Sequence, residues 1–326
     1  MLSFIIRRLA IAVPVVLASS VLVFLLVANS GDPLADLKGR QPPVPPQVIE
    51  AREKMLGLDQ PLPQRYWNWL TNFIRGDMGV TIRGQEVQPL LWQRMQITLR
   101  MVVLASIVAI VLAIGAGVLS AVKQYTVTDY TFTFAGFLFL SMPVFWLAAL
   151  LKEYGAIRLN KLFGQQVIFT VGPNSPNLTG SLGHRLADYA GHLILPTIAL
   201  ALISFASWSR YQRATMLDVL GADYIRLARA KGLSRSRVMV RHALRNALIP
   251  LVTVVAIDTG AILSGAIVTE RVFAWQGMGS LLVQGVETSD PNLLLAWLMV
   301  TAVLVVLFNL IADVLYAVLD PRIRYG

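Results

Sequence analysis

Residues 9–28 read LAIAVPVVLASSVLVFLLVA, without a charge. A bilayer core is about 30 Å thick and a helix rises 1.5 Å per residue, so about 20 apolar residues cross it. Five further runs meet that length. Met101–Val122 is uncharged, and Tyr130–Leu151 is rich in aromatics and broken by Pro143. Tyr189–Ser209 carries His192 and Pro196, Leu248–Thr269 is apolar except for Asp258, and Pro291–Ala312 is uncharged. Buried helices of a large soluble protein are rarely so long and so evenly apolar around every face. Six in one chain exclude that origin. The expectation is an all-α membrane protein with about six transmembrane helices. Arg7 and Arg8 precede the first run as they would in a signal peptide. Its apolar stretch is longer than a signal core, so it reads as an uncleaved anchor.

Composition agrees. Of 326 residues, 56% are hydrophobic and 14% charged, where soluble domains are about 25% charged. The mean hydropathy is +0.64. Without cysteine there can be no disulfide, thiolate metal site or cysteine nucleophile. The net charge of +10 would suit nucleic acid, but long apolar runs separate the basic residues, which line no continuous face.

Those charges orient the chain instead, because lysine and arginine collect in cytoplasmic loops. Segment 209–247 holds Arg210, Arg213, Arg226, Arg229, Lys231, Arg235, Arg237, Arg241 and Arg245 against Asp218 and Asp223. With an even number of spans, both termini share its side, where Arg7, Arg8, Arg322 and Arg324 also fall. Both ends are therefore expected in the cytoplasm, with the chain multi-pass in the membrane. Residues 1–28 form the N-terminus and first span, 29–96 a large first extracytoplasmic loop, and 97–326 the core containing loop 209–247.

The outer segment opens with the prolines of 42–46, which favour extended backbone. Tyr66, Trp69, Leu70, Phe73 and Ile74 then recur on one helical face. That stripe suits the membrane interface or the packing of a small outer domain equally.

In the basic loop, Asp223–Lys231 reads as a short helix. Asp223 suits the N-cap, Arg229 and Lys231 the negative end of the dipole, and Gly232 the left-handed residue after the last turn. A second start signal stands at Ser234, with helix continuing through His242 to Asn246. Local signals leave a surface helix–turn–helix and a partner-binding element both open.

The stretch DYIRLARAKGLSRSRVMVRHALRNALIP (223–250) resembles the cytoplasmic loop of ATP-binding cassette importer permeases, and more narrowly that of the B-type inner-membrane chains in the dipeptide and oligopeptide subfamily. FIIRRLAIAVPVVLASSVLVFLLV (4–27), LGLDQPLPQRYWNWL (56–70) and SMPVFWLAALL (141–151) are similar too, as are GAILSGAIVTERVFAWQGMGSLLV (260–283) and NLIADVLYAVLDPRIRYG (309–326). The likeness covers nearly the whole chain. The broad signature of Glu-Ala-Ala, three residues and glycine is met only at Ala228 and Gly232, because Arg226 and Leu227 occupy its first places. Peptide permeases share Ala228, Lys231 and Gly232. Gln276 stands where related sequences often carry proline.

The resemblance implies a coupling helix seated in a cleft of an ATPase subunit, carried by Asp223, Tyr224, Arg226, Ala228, Lys231 and Gly232. It also implies a second homologous permease, two ATPase subunits and an extracytoplasmic substrate-binding protein. The chain has no G-x-x-x-x-G-K-[ST] loop, so it is not expected to be an enzyme. It needs no cofactor of its own, and ATP and Mg belong to the partner subunits. Leu263-Ser264-Gly265 is similar to a nucleotide-subunit signature but lies inside a span, where small residues serve helix packing. His184, His192 and His242 are scattered, with no metal-ligand spacing.

Asp258 is the carboxylate near the centre of a span. Charge there is expensive, so it should face the bundle interior, pair with a partner or be protonated, and its role is either beside the translocation pathway or in a structural hydrogen bond. The alternative function is a proton-coupled secondary transporter with Asp258 as proton carrier. A membrane-embedded enzyme lacks a clustered nucleophile, acid–base pair or metal ligands.

Overall fold

A computed structural model describes residues 2–39 and 41–319. In chain order it gives α1 (Leu2–Ala28), α2 (Ala35–Lys38), α3 (Pro46–Met55), α4 (Leu62–Ile74) and α5 (Val87–Val122). Next come α6 (Val127–Ser141), α7 (Val144–Lys152), a π turn (Glu153–Arg158) and α8 (Leu159–Phe163). There follow α9 (Leu182–Gly221), α10 (Asp223–Ala230), α11 (Arg235–Arg237) and a second π segment (Val238–Leu244). The described chain ends with α12 (Arg245–Val272), α13 (Met278–Glu287) and α14 (Pro291–Leu319). Among the described residues, five helical stretches are long and apolar enough to cross a bilayer, or six when α6 and the α7–α8 arm count as one span. The protein is an all-α membrane protein. Arg322 and Arg324, used above for orientation, lie outside the described residues, as do the side chains of Leu263, Ser264 and Gly265.

Each expected span is helical, but the ends differ from the hydropathy boundaries. The helix of the second span starts at Val87, within the stretch assigned to the outer loop. At 36 and 40 residues, α5 and α9 are about 54 and 60 Å long, well beyond the hydrocarbon core. The third span is two helices bent by 106°. Pro143 has no N–H for the carbonyl of Phe139 and drives Met142 out of helical geometry, to ψ 126°.

Two compact units form. The larger combines 98–275 with 2–5 and 308–319 of the described chain, and the smaller combines 6–97 with 276–307. In the larger, α9 packs against α6, α7 and α12. Gly117 of α5 allows a close approach to α9, since a Cβ there would stand 2.6 Å from Cβ of Gln212. Asp129, buried in the first turn of α6, takes both arms of Arg213 from α9 at 2.7 and 2.8 Å. The backbone N–H of Tyr125 reaches the same carboxylate at 3.0 Å.

In the smaller unit, Val23, Phe24 and Val27 of α1 pack on Leu294 and Leu295 of α14, with Tyr66 and Trp69 against them. The aromatic stripe of α4 thus serves packing: Tyr66 meets Phe24 edge-on at 5.4 Å and shares a 2.9 Å hydrogen bond with Ser20. Ile74, placed on that stripe above, is instead 72% exposed. The corner before α14 is pinned by Asp290, which accepts the N–H of Ile82 at 2.7 Å and of Leu293 at 3.2 Å. Burial pushes its carboxyl above the ordinary range, against the opposing pull of those N–H groups. Gln276 holds its turn without proline, because Arg94 donates to its backbone carbonyl at 2.7 Å and its side-chain oxygen at 2.8 Å.

Candidate functional site

α10 has two faces. Ile225 and Ala228, three residues apart, are buried in a cluster with Ala121, Met216, Val238, Ala243 and Ala247. Full burial of an isoleucine contributes about 1.5–3 kcal/mol, and this holds a helix too short to stand alone in water. The outward face carries Tyr224, Arg226 and Leu227, the last 56% exposed. Asn246 donates to the Tyr224 hydroxyl at 3.1 Å, tying the face to the start of α12.

The end of α10 is built from the backbone. Gly232 lies at φ +77°, its N–H reaching the carbonyl of Arg229 at 2.9 Å. The N–H of Leu233 reaches back to Ala228 at 3.4 Å, and its side chain packs on the same buried cluster. This paired closure requires a left-handed residue, as the glycine predicted. Ser234 then takes the N-cap position, without a side-chain capping bond, of a helix that runs on through α11 and the π segment into α12.

Two placements differ from the sequence expectation. Ala222 is the N-cap of α10, and Asp223 is its first helical residue, fully exposed and 3.5 Å from Arg226. At that position its charge favours the positive end of the helix without capping an N–H. Ala228 points into the cluster and holds the helix, while Tyr224, Arg226, Leu227 and Lys231 are exposed. Leu227 and the Asp129–Arg213 pair went unrecognised. An apolar residue on the charged side of α10 was the available signal for the first, whereas nothing local joins residues 129 and 213.

Asp258 stands apart from this loop. It is half-buried on α12, and its Oδ2 accepts the indole N–H of fully buried Trp208 at 2.8 Å. The carboxylate lines a cavity of about 240 Å³ with Ser204 and Ser207 of α9. It therefore faces other helices of the bundle and makes a structural hydrogen bond.

Several membrane-spanning helices, with a short docked helix displayed on the loop between the fourth and fifth, define the membrane subunit of a transporter. Comparison with known families gives the particular one. Residues 113–325 match the model described as "Binding-protein-dependent transport system inner membrane component", and residues 1–92 match its N-terminal companion, "Binding-prot-dependent transport system membrane comp, N-term". The chain belongs to this family and is a multi-pass inner-membrane permease.

Among its relatives, the oligopeptide transport system permease protein OppB of Mycobacterium tuberculosis is 41% identical over 324 residues, 99% of each chain. The oligopeptide transport system permease protein AppB of Bacillus subtilis is 36% identical over all of both chains. The dipeptide transport system permease protein DppB of Escherichia coli is 36% identical, over 100% of this chain and 99% of that one. A solved inward-facing MetNI methionine ABC transporter contains a chain with the same fold, at TM-score 0.54 and 17% identity, covering 71% of this chain and 96% of that one.

Proposed function

We propose that this chain is one half of the membrane pathway of an ATP-driven importer of peptides. The observation that carries the reading is similarity over the full length to permeases of oligopeptide and dipeptide systems. A second homologous permease completes the pathway, two ATPase subunits dock on the cytoplasmic side, and an extracytoplasmic binding protein delivers the cargo. ATP and Mg are bound by the ATPase subunits. Both termini and loop 209–247 face the cytoplasm, and 29–96 faces outward. Within this division, 1–28 is the N-terminal span and 97–326 the permease core.

α10 is the coupling element. Tyr224, Arg226, Leu227 and Lys231 meet the ATPase subunit, while Ile225, Ala228 and the Gly232 turn make the helix rigid with α9 and α12. A rigid element passes on a rigid-body displacement that a loose loop would absorb. Asp258 lies beside the translocation pathway. Neither the fold nor the relatives favour the proton-driven alternative.

The test is reconstitution of the complex in vesicles with a labelled tripeptide and the loaded binding protein. Uptake should require ATP and be blocked by vanadate. Uptake that persists without ATP and collapses with an uncoupler would refute the reading. A cysteine at Ser181 should react with an impermeant thiol reagent from outside and one at Ser236 should not, and the reverse pattern would overturn the orientation.

A further inference from the structure

The break at Pro143 leaves α6 with carbonyls that have no helical N–H partner. The last turn of a helix carries the negative end of its dipole. Leu140 and Val144, on either side of the break, line the same cavity as Ser204, Ser207, Asp258 and Ile262. Two negative features, a helix C-terminus and a carboxylate, therefore meet there, beside the N–H groups that open α7.

Trp208 orients the carboxylate through Oδ2 but is neutral, so it cancels no charge. Among the described residues, Oδ1 of Asp258 has no hydrogen-bond partner, and no cation pairs with the carboxylate. An uncompensated charge in a span is costly, and such charges mark the path of a solute that compensates them. Broken helices in transporters likewise place their carbonyl ends against cations.

The choice of cation follows from what lines the site. A hard metal ion takes six or more oxygen ligands, whereas this cavity offers one carboxylate, two hydroxyls and apolar walls. That set suits an ammonium group attached to a carbon chain. The serine hydroxyls can accept its remaining N–H groups, and the N–H groups that open α7 suit the first peptide carbonyl. The α-ammonium is also the one cation that unblocked peptides share whatever their side chains.

We propose that this cavity receives the α-ammonium end of a peptide in transit, with Asp258 as its counter-ion. The proposal rests on the peptide-importer reading above. It adds a permease subsite that recognises the terminus and disregards the side chains.

The experiment uses the whole complex in vesicles with trialanine, and with loading of the binding protein measured separately at each pH. Asp258→Asn should lower uptake per ATP hydrolysed about tenfold or more, the loss expected for a charge-assisted contact. Asp258→Glu should recover part of it. Wild-type uptake by loaded binding protein should fall as pH passes about 8, where the α-amino group loses its proton. The Asp258→Asn profile should lack that fall. Equal uptake by wild type and Asp258→Asn, or the same pH profile in both, overturns the proposal. So does loss of assembly in Asp258→Asn that Asp258→Glu restores, because the carboxylate then pairs with a cation of the partner permease. Wild-type complex that takes up no peptide with ATP would instead remove the importer reading, and the subsite with it.

Discussion

Gly232→Val should uncouple ATP hydrolysis from uptake while leaving the membrane spans intact. At φ +77° the backbone occupies the left-handed region, where a residue other than glycine costs about 1–3 kcal/mol and a β-branched one belongs at the upper end. No atom lies within 4 Å of where a Cβ would sit, so collision adds nothing and the backbone penalty stands alone. That penalty falls on the two hydrogen bonds closing α10, from Gly232 to Arg229 and from Leu233 to Ala228. An eight-residue helix has little stability of its own, so the strain shifts it from docked to undocked. A shift of 1–3 kcal/mol is a factor of about 5–150. Coupled uptake should fall about tenfold or more, with the binding protein still engaged and hydrolysis still running. Gly232→Asn is the control, since asparagine tolerates the left-handed region, and it should stay within about threefold of wild type. Paired ATPase and uptake measurements in vesicles, with assembly checked by size exclusion, decide the matter. Normal coupling in assembled Gly232→Val would refute the role given to this turn, and failure of the variant to enter the membrane would show that the glycine serves folding alone.

Asp129→Asn leaves Arg213 without its charge partner and should destabilise the larger unit by about 3 kcal/mol, the low end for a broken buried pair because Arg213 keeps some access to water; thermal unfolding in detergent reads the loss, and Asp129→Glu should restore part of it. Ala274 sits at φ 51° where the chain leaves α12, so Ala274→Gly should raise stability by about 1 kcal/mol, and a lower melting temperature would contradict that. Asp290 has a folded-state pKa raised by burial, so its contribution is present below the ordinary carboxyl pKa and lost as pH rises through the folded value. Measured against Asp290→Asn, wild-type thermal stability should accordingly fall from about pH 4 upward.

The six apolar runs were legible because hydrocarbon imposes both a length and a composition on whatever crosses it. The helix ends were not. The N-terminal stretch VQPLLWQRMQ of α5 is mixed in polarity, and Val87, Leu91 and Met95 hold it helical by burying one face, a tertiary effect that hydropathy does not register. Pro143 announced a break, yet nothing in the sequence gave its angle of 106°. In the loop, Gly232 was readable because a left-handed position selects so strongly for glycine. Asp223 was misplaced by one residue, since a carboxylate suits both the cap and the first turn. Ala228 belonged to the motif, but which way it pointed depended on Met216, Val238 and Ala243 beneath it. The partners of Arg213 and Asp258 are 84 and 50 residues away in sequence, beyond any periodicity.

Those two contacts share one helix. Trp208, which orients Asp258, and Arg213, which grips α6 through Asp129, both belong to α9, and α9 ends where α10 begins. From Trp208 to Arg213 is about 8 Å along the axis, and from Arg213 to the end of α9 about 12 Å. Pro196 is the proline inside α9 and lies before all of them, so no missing N–H interrupts the ladder between Trp208 and Gly221. Thr215 adds a 3.0 Å hydrogen bond to the carbonyl of Ala247 in α12. On the importer reading, a push on α10 therefore enters a continuous rod. Arg213 passes it to α6, whose broken end lines the cavity, and Trp208 passes it to Asp258 in the same cavity. If so, Asp129→Asn should weaken coupling more than its effect on stability alone accounts for. Uptake per ATP, compared with that of a variant equally destabilised at a site remote from α9, measures the difference, and equal losses in the two would mean that the ion pair only holds the fold.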